Sequence, residues 1–194
     1  AMRIFTWTWL FHVFQGTAAW SDQHFRTQFL ACLYEHGTFC ARYLEDFGIN
    51  GNHLTADASA LVFSAEFFPE SAETQKWGDK GWHLLVSEIF KQVHDDGVDF
   101  EGSVSYHRMV AELFLWPARY RKIKDKGVPE LYYERLRKMA SFSAAYSGSN
   151  GVAPLWGDAD DGRPFILGAQ APSQHGYLAA LISLAIDDAV LACP

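Results

Sequence analysis

Cysteine is scarce: the 194 residues hold three, Cys32, Cys40 and Cys193. An odd, sparse set excludes a disulfide-built scaffold. No CxxC pair is present to suggest zinc, so the cysteines read as small buried apolar residues. Long hydrophobic runs are also missing. The longest largely apolar stretch, Tyr177 to Ile186, ends at Asp187 and Asp188, well short of the roughly 20 residues a membrane span needs. Excess positive charge is absent too. The formal net charge of −7 argues against wholesale nucleic-acid binding. No segment alternates apolar and polar residues long enough to read as a strand.

What remains is rich in aromatic and aliphatic side chains. Fifteen Phe, seven Trp and eight Tyr in a chain that is 49% hydrophobic exclude disorder and fit one domain over residues 1–194. Ile4 to Phe14 has the length of a signal-peptide core. It is rich in aromatics, carries His12 and has one charge ahead of it, Arg3, so it reads as a buried first helix.

Helical periodicity runs along the whole chain. Apolar residues at spacings of three and four predict a helix from Ser21 to Phe47, capped by Ser21 or Asp22 and stopped by Gly48. A second spans about His53 to Phe68, before Pro69. A third begins near Ser71, with Trp77, Gly81, Leu84, Leu85 and Ile89 on one stripe. His94-Asp95-Asp96-Gly97 is a turn signal. A helix from Val104 to Lys124 follows, which Pro117 should kink or break, then one from Pro129 to about Tyr146. Residues 147–174 form a long Gly-, Pro- and Asp-rich loop, and a last helix covers about Tyr177 to Leu191. The fold class is therefore all-α, built from antiparallel helix pairs.

Nine of the sixteen Lys and Arg lie between Arg108 and Lys138, densest at Arg119, Arg121, Lys122, Lys124 and Lys126. Such a run is either a solvated helix end or a local positive field for a polyanion.

Three stretches could carry chemistry. Asn52 and His53 open a helix, where free N–H groups and the dipole favour an anion; Asn52 is equally suited to be a plain N-cap. Glu101 precedes Tyr106, His107 and Arg108 at the next helix start. A tyrosine there could donate a proton, or accept one if cations such as His107 or Arg108 lowered its pKa. It could also be an ordinary core aromatic. The carboxylates of Asp158, Asp160 and Asp161 alternate like a calcium loop but lack the distal bidentate Glu, which favours loop-ordering hydrogen bonds, with Arg163 among the candidates.

In order, these stretches read Asn52-His53-Leu54, then Asp96-Gly97 with Glu101-x-Ser103-x-x-Tyr106-His107, then Gly157-Asp158-x-Asp160-Asp161-Gly162-Arg163. That order resembles the α-helical domain of the heparinase II/III-like polysaccharide lyases, from about Arg3 to Gln170. The resemblance implies an (α/α) toroid followed by a β-sandwich, with a cleft between them in which uronic-acid polysaccharides are cleaved by β-elimination. It implies no cofactor. By the same resemblance Asn52 holds the uronate carboxylate, and His53 assists it or is the base. Tyr106 is the acid, or both acid and base. Glu101, His107 and Arg108 are expected to contact or orient substrate.

Elimination makes demands that such groups meet. Donors must neutralise the carboxylate beside C5 and stabilise the enolate-like transition state. A base takes the C5 proton and an acid protonates the leaving O4. The expected partners are an acidic polysaccharide, the family's β-sandwich and, through an exposed apolar face, further copies of the chain; nucleic acid and membrane are not expected. The expected location is periplasmic or secreted. The sequence holds no β-sandwich and reads as a partial toroid short at both ends, so little lyase activity is expected of the chain alone. Two other readings use the same residues. One is a helical-toroid hydrolase with Glu101 and Asp158 as its carboxylates, about 6.5–9.5 Å apart if inverting. The other is a non-catalytic glycan-binding or assembly module.

Overall fold

The computed structural model describes residues 1–166, 168–169 and 171–188. These residues form eight helices and no strand: α1 (Met2–Phe14), α2 (Ala18–Ser21), α3 (Gln23–Arg42), α4 (Asn52–Phe67), α5 (Ala72–Gln92), α6 (Val104–Ile123), α7 (Glu130–Ser147) and α8 (Tyr177–Ile186). The all-α expectation holds. Cys193 and the expected end of the last helix at Leu191 lie outside the described residues.

Helix α4 is the centre. Nearly every side chain from Leu54 to Ala65 is buried, because neighbours cover it on several sides. Towards α1 and α3 it joins a cluster with Ile4, Phe5, Leu33, Leu61, Phe63, Trp77 and Leu113. On its other side Ala58 and Val62 meet Trp82, Leu85, Ile89, Phe114, Tyr132, Leu136 and Ile182 from α5 to α8. Each fully buried large apolar side chain contributes about 1.5–3 kcal/mol. Helix α6 contributes to both clusters and so ties the two halves together.

Three local expectations need correction. Helix α3 ends at Arg42, not Phe47, and Phe47 is 82% exposed. Side chains here compete with the helix for backbone groups. Asp46 accepts the Gly48 N–H and the Asn50 amide, Asn50 accepts the Phe47 N–H, and Asp57 accepts the Glu45 N–H. Only the first half of α1 is buried, at Ile4, Phe5 and Thr8, whereas Trp9, Val13 and Phe14 are exposed. Pro117 does not break α6, which continues to Ile123 with the proline buried inside it.

The basic stretch is spent largely inside the fold. Arg119 and Lys122 donate to the Ala185 and Ile186 carbonyls at the end of α8 and pair with Asp187. Lys126 reaches Glu66, Arg135 reaches Asp95, and Arg137 bridges Glu130 and Asp188. Arg121 lies over the Trp82 ring at 4.5 Å. These cations cap a helix C-terminus and join elements, as the dipole favours. That removes most of the support the run offered for a polyanion-binding face.

Candidate functional site

The first turn of α4 has no cap of its own. Gly51 occupies the N-cap position and carries no side chain. The missing acceptor comes from the loop between α5 and α6. Glu101 accepts the Asn52 backbone N–H at 2.6 Å and the Asn52 side-chain amide at 2.8 and 3.2 Å. A carboxylate at a helix N-terminus satisfies a free donor and meets the positive end of the dipole. Gly51 leaves room for this approach, since a Cβ there would sit 2.5 Å from a Glu101 oxygen and push the carboxylate aside. Asn52 is thus not a plain N-cap. It is an amide held in place by a carboxylate, and that carboxylate fixes both its backbone and its side chain.

The loop that presents Glu101 is itself anchored. A bridge joins Val93 to Asp99, and the Phe100 N–H donates to the Gln92 carbonyl. Asp99 is buried; its carboxylate accepts the Glu101 N–H and its own N–H donates to His107 Nδ1. Burial first, and the Glu101 charge second, push the Asp99 carboxyl up to about 7.

Tyr106 lies one turn into α6. Ser103 caps that helix, accepting the Tyr106 N–H and donating its hydroxyl to the Asp158 carbonyl at 2.6 Å. The ring is half-buried against the α1–α4 cluster. Its phenol pKa is raised, by desolvation and then by the negative charges of Asp160, Asp158 and Glu101. The possibility of a phenol made acidic by His107 and Arg108 finds no support, since the shift runs upward and its electrostatic causes are carboxylates.

His107 and Arg108 do not take the places expected of substrate-contacting groups. His107 is 1% exposed and its Nε2 points to the Met139 carbonyl and the Ser143 hydroxyl. Burial lowers its pKa to about 4, which leaves it neutral. Arg108 is 0% exposed. It donates to the carbonyls of Pro172, Asp160 and Gly162, and so pins the middle of the long loop to its far end. Beneath it Glu112, raised to about 7 mainly by burial, accepts the Tyr177 hydroxyl. The physical reason is helix geometry. Residues 107 and 108 follow Tyr106 by about 100° and 200° around α6, which turns them towards α7 and the loop.

His53 stands beside Asn52 but faces outward, 68% exposed at its side chain, with Nδ1 2.8 Å from Glu45. A carboxylate can only accept, so Nδ1 carries the hydrogen and Nε2 is left with its lone pair in the neutral ring. Glu45 has no motif to mark it. It precedes His53 by eight residues across an irregular connection, so spacing gave no signal. In the Asp loop, Asp160 accepts the Gly162 N–H, while Arg163 donates to the Ala171 carbonyl rather than to the aspartates. Among the described residues no group of three or more His, Cys, Asp or Glu side chains could hold a metal ion.

The structure thus joins Asn52 to Glu101 by hydrogen bonds, places Tyr106 at the start of α6, where the Glu101 charge reaches it, and staples the backbone of residues 156–158 to the same helix start. His53 sits beside this group, paired with Glu45. His107 and Arg108 lie behind it.

Comparison with known proteins bears on this arrangement. Residues 1–170 match the family model described as Heparinase II/III N-terminus. A heparin-sulfate lyase of Bacteroides stercoris is 28% identical over 137 residues, covering 70% of this chain and 20% of the relative. A heparin-sulfate lyase of Pedobacter heparinus is 27% identical over 150 residues, covering 76% and 22%. Among solved structures, a crystal structure of heparinase III superposes with a TM-score of 0.67 at 25% identity, covering 78% of this chain and 24% of that one. This chain spans about a fifth of the length of the curated relatives it matches. The match over residues 1–170 shows that the chain belongs to the heparinase II/III family, as its N-terminal helical region.

Proposed function

We propose that this chain is the helical part of a polysaccharide lyase that cleaves uronic-acid-containing polysaccharide by β-elimination. The observation that carries the reading is the Asn52–Glu101 contact, an amide fixed by a carboxylate at the start of α4, with the Tyr106 phenol at the start of α6. Glu101 takes one direction of the Asn52 amide, and the second amide hydrogen reaches the uronate carboxylate. That hydrogen bond lowers the cost of the charge that builds beside C5.

The proton bookkeeping then follows from how the two side chains are held. Burial and the charges of Asp160, Asp158 and Glu101 raise the Tyr106 phenol pKa, so it holds its proton and donates it to the departing O4. His53 takes the C5 proton on Nε2, with Glu45 orienting the ring and stabilising the imidazolium that forms. The C4–O4 bond breaks, and its electrons leave with O4, which gains the Tyr106 proton. The C5–H pair becomes the C4–C5 double bond of an unsaturated uronate.

A β-sandwich domain forming the other wall of the cleft, and a periplasmic or secreted place of action, belong to the same proposal. The test is elimination by the chain, and by a chimaera in which it replaces the matching segment of the Pedobacter heparinus lyase. Substrates are heparan sulfate, heparin and alginate, and the readout is absorbance of the unsaturated product. The reading expects product from the chimaera and its loss on Tyr106→Phe. Uronan binding without product in a folded chimaera would favour a glycan-binding module instead.

A further inference from the structure

Of the seven tryptophans, all within the described residues, only Trp156 is more than half exposed, at 70%, and Leu155 beside it is 93% exposed. Neither is loose. The Trp156 carbonyl accepts the N–H of Val104 at the first turn of α6. Gly157 approaches Gly102 and Ser103 so closely that a Cβ would lie 2.7 Å from the Gly102 carbonyl, and its φ of +73° suits glycine. The next carbonyl, that of Asp158, takes the Ser103 hydroxyl. Trp156 also lines a cavity of about 60 Å³ with Val98, Asp99, Val104, His107 and Phe142. The backbone at Trp156 is therefore held while most of the residue faces solvent. Its backbone is fixed to the segment that separates Glu101 from Tyr106.

The charge around that segment favours an apolar contact beside the polar one at Asn52. Glu101, Asp158 and Asp160 all act on Tyr106, and the basic residues of α6 and α7 are largely engaged elsewhere. An acidic sugar approaching this wall meets repulsion, not a cationic clamp. Uncharged contacts suit this wall. A pyranose ring offers an apolar face of C–H groups, and an indole offers a broad ring whose negative face attracts their positive hydrogens.

Resting on the lyase reading above, we propose that Trp156, flanked by Leu155, is a stacking platform for the sugar ring next to the one held at Asn52 and Tyr106. It sets how far along the polymer the chain grips, and it favours residues that present an unsubstituted C–H face.

The experiment is calorimetric titration of the chain with heparan sulfate and alginate hexasaccharides, and with a neutral β-linked glucose hexamer. It is run on the wild type, Trp156→Ala, Trp156→Phe and Asn52→Ala. The proposal expects Trp156→Ala to weaken binding of a uronan about tenfold or more, close to 1.4 kcal/mol, and Trp156→Phe to restore most of it. Melting temperature is followed alongside, and Trp156→Phe keeps an aromatic ring at this position. Uronan binding that is lost in Asn52→Ala but unchanged in Trp156→Ala overturns the platform and leaves the lyase reading standing. Binding of the neutral hexamer alone overturns the lyase reading, and the platform with it.

Discussion

Glu101 grips Asn52 twice, accepting its backbone N–H at 2.6 Å and its side-chain amide at 2.8 Å. The two residues are 49 apart in sequence, and this contact joins the start of α4 to the loop before α6. One carboxylate thus caps a helix, orients an amide and adds to the field that keeps Tyr106 protonated.

Replacing that carboxylate should therefore affect stability and binding together. Glu101→Gln turns a charge-assisted acceptor pair into an amide facing an amide. The cost should be about 1.5–3 kcal/mol, the range for hydrogen bonds to charged groups. Thermal unfolding gives this cost, and calorimetry should show uronan affinity falling at least tenfold. Unchanged affinity would mean that the orientation of Asn52 does not matter for binding.

Arg108 should behave as a structural clamp. Removing it leaves three loop carbonyls without their donor and Glu112 without a neighbouring cation. Breaking such a buried arrangement typically costs about 3–5 kcal/mol. At roughly 2–4 °C per kcal/mol for a chain of this size, Arg108→Met should melt about 6–20 °C lower. Residues 148–176 should also become protease-sensitive. A stable Arg108→Met that loses only uronan binding would restore the substrate-contact expectation for this residue.

The buried carboxyls and imidazoles oppose one another in pH dependence. Asp99, raised to about 7, keeps a proton in the folded chain that the unfolded chain releases above about 4. Its contribution therefore falls as pH rises from about 4 to 7. His107, lowered to about 4, contributes stability that falls as pH drops from about 6.5 to 4. Asp99→Asn separates the two. It should raise the melting temperature at pH 8, where the wild-type carboxylate is charged among Glu101 and neutral His107, and change it little at pH 4. The expected gain is about 1–3 kcal/mol, the cost of an uncompensated buried polar group. A difference that does not vary with pH would show that Asp99 is not the group titrating.

The Glu45–His53 pair should matter to rate more than to stability. It is exposed, and exposed ion pairs contribute about 0–1 kcal/mol. In an active chimaera Glu45→Gln should lower kcat about tenfold or more with little change in KM, because only the tautomer and the imidazolium are affected. Equal loss in KM and none in kcat would place His53 in binding rather than proton transfer.

Much of the fold was legible because helical spacing and caps act locally. Ser71 and Asp22 cap α5 and α3 as their types suggest. The order of Asn52, Glu101 and Tyr106 could also be read, since each lies at or just before a helix start. Which way neighbouring side chains turn was not legible. His107 and Arg108 look like site residues in a linear string, yet the helix carries them behind Tyr106 into the core. The end of α3 failed for a similar reason: the competing acceptors Asp46, Asn50 and Asp57 act through turn geometry and long-range contact, not periodicity. Glu45 and Trp156 acquire their positions only through tertiary contacts, so no spacing pointed to them.

The central claim is that Asn52, Glu101 and Tyr106 form one uronate-binding group. The most direct measurement is a magnetic-resonance titration of isotope-labelled chain with a heparan sulfate or alginate oligosaccharide, following the Asn52 side-chain amide and the Tyr106 ring. The account predicts saturable shifts at both residues with one shared midpoint, and their loss in Glu101→Gln. Shifts confined to the basic face of α6 and α7, with Asn52 and Tyr106 unmoved, would contradict it.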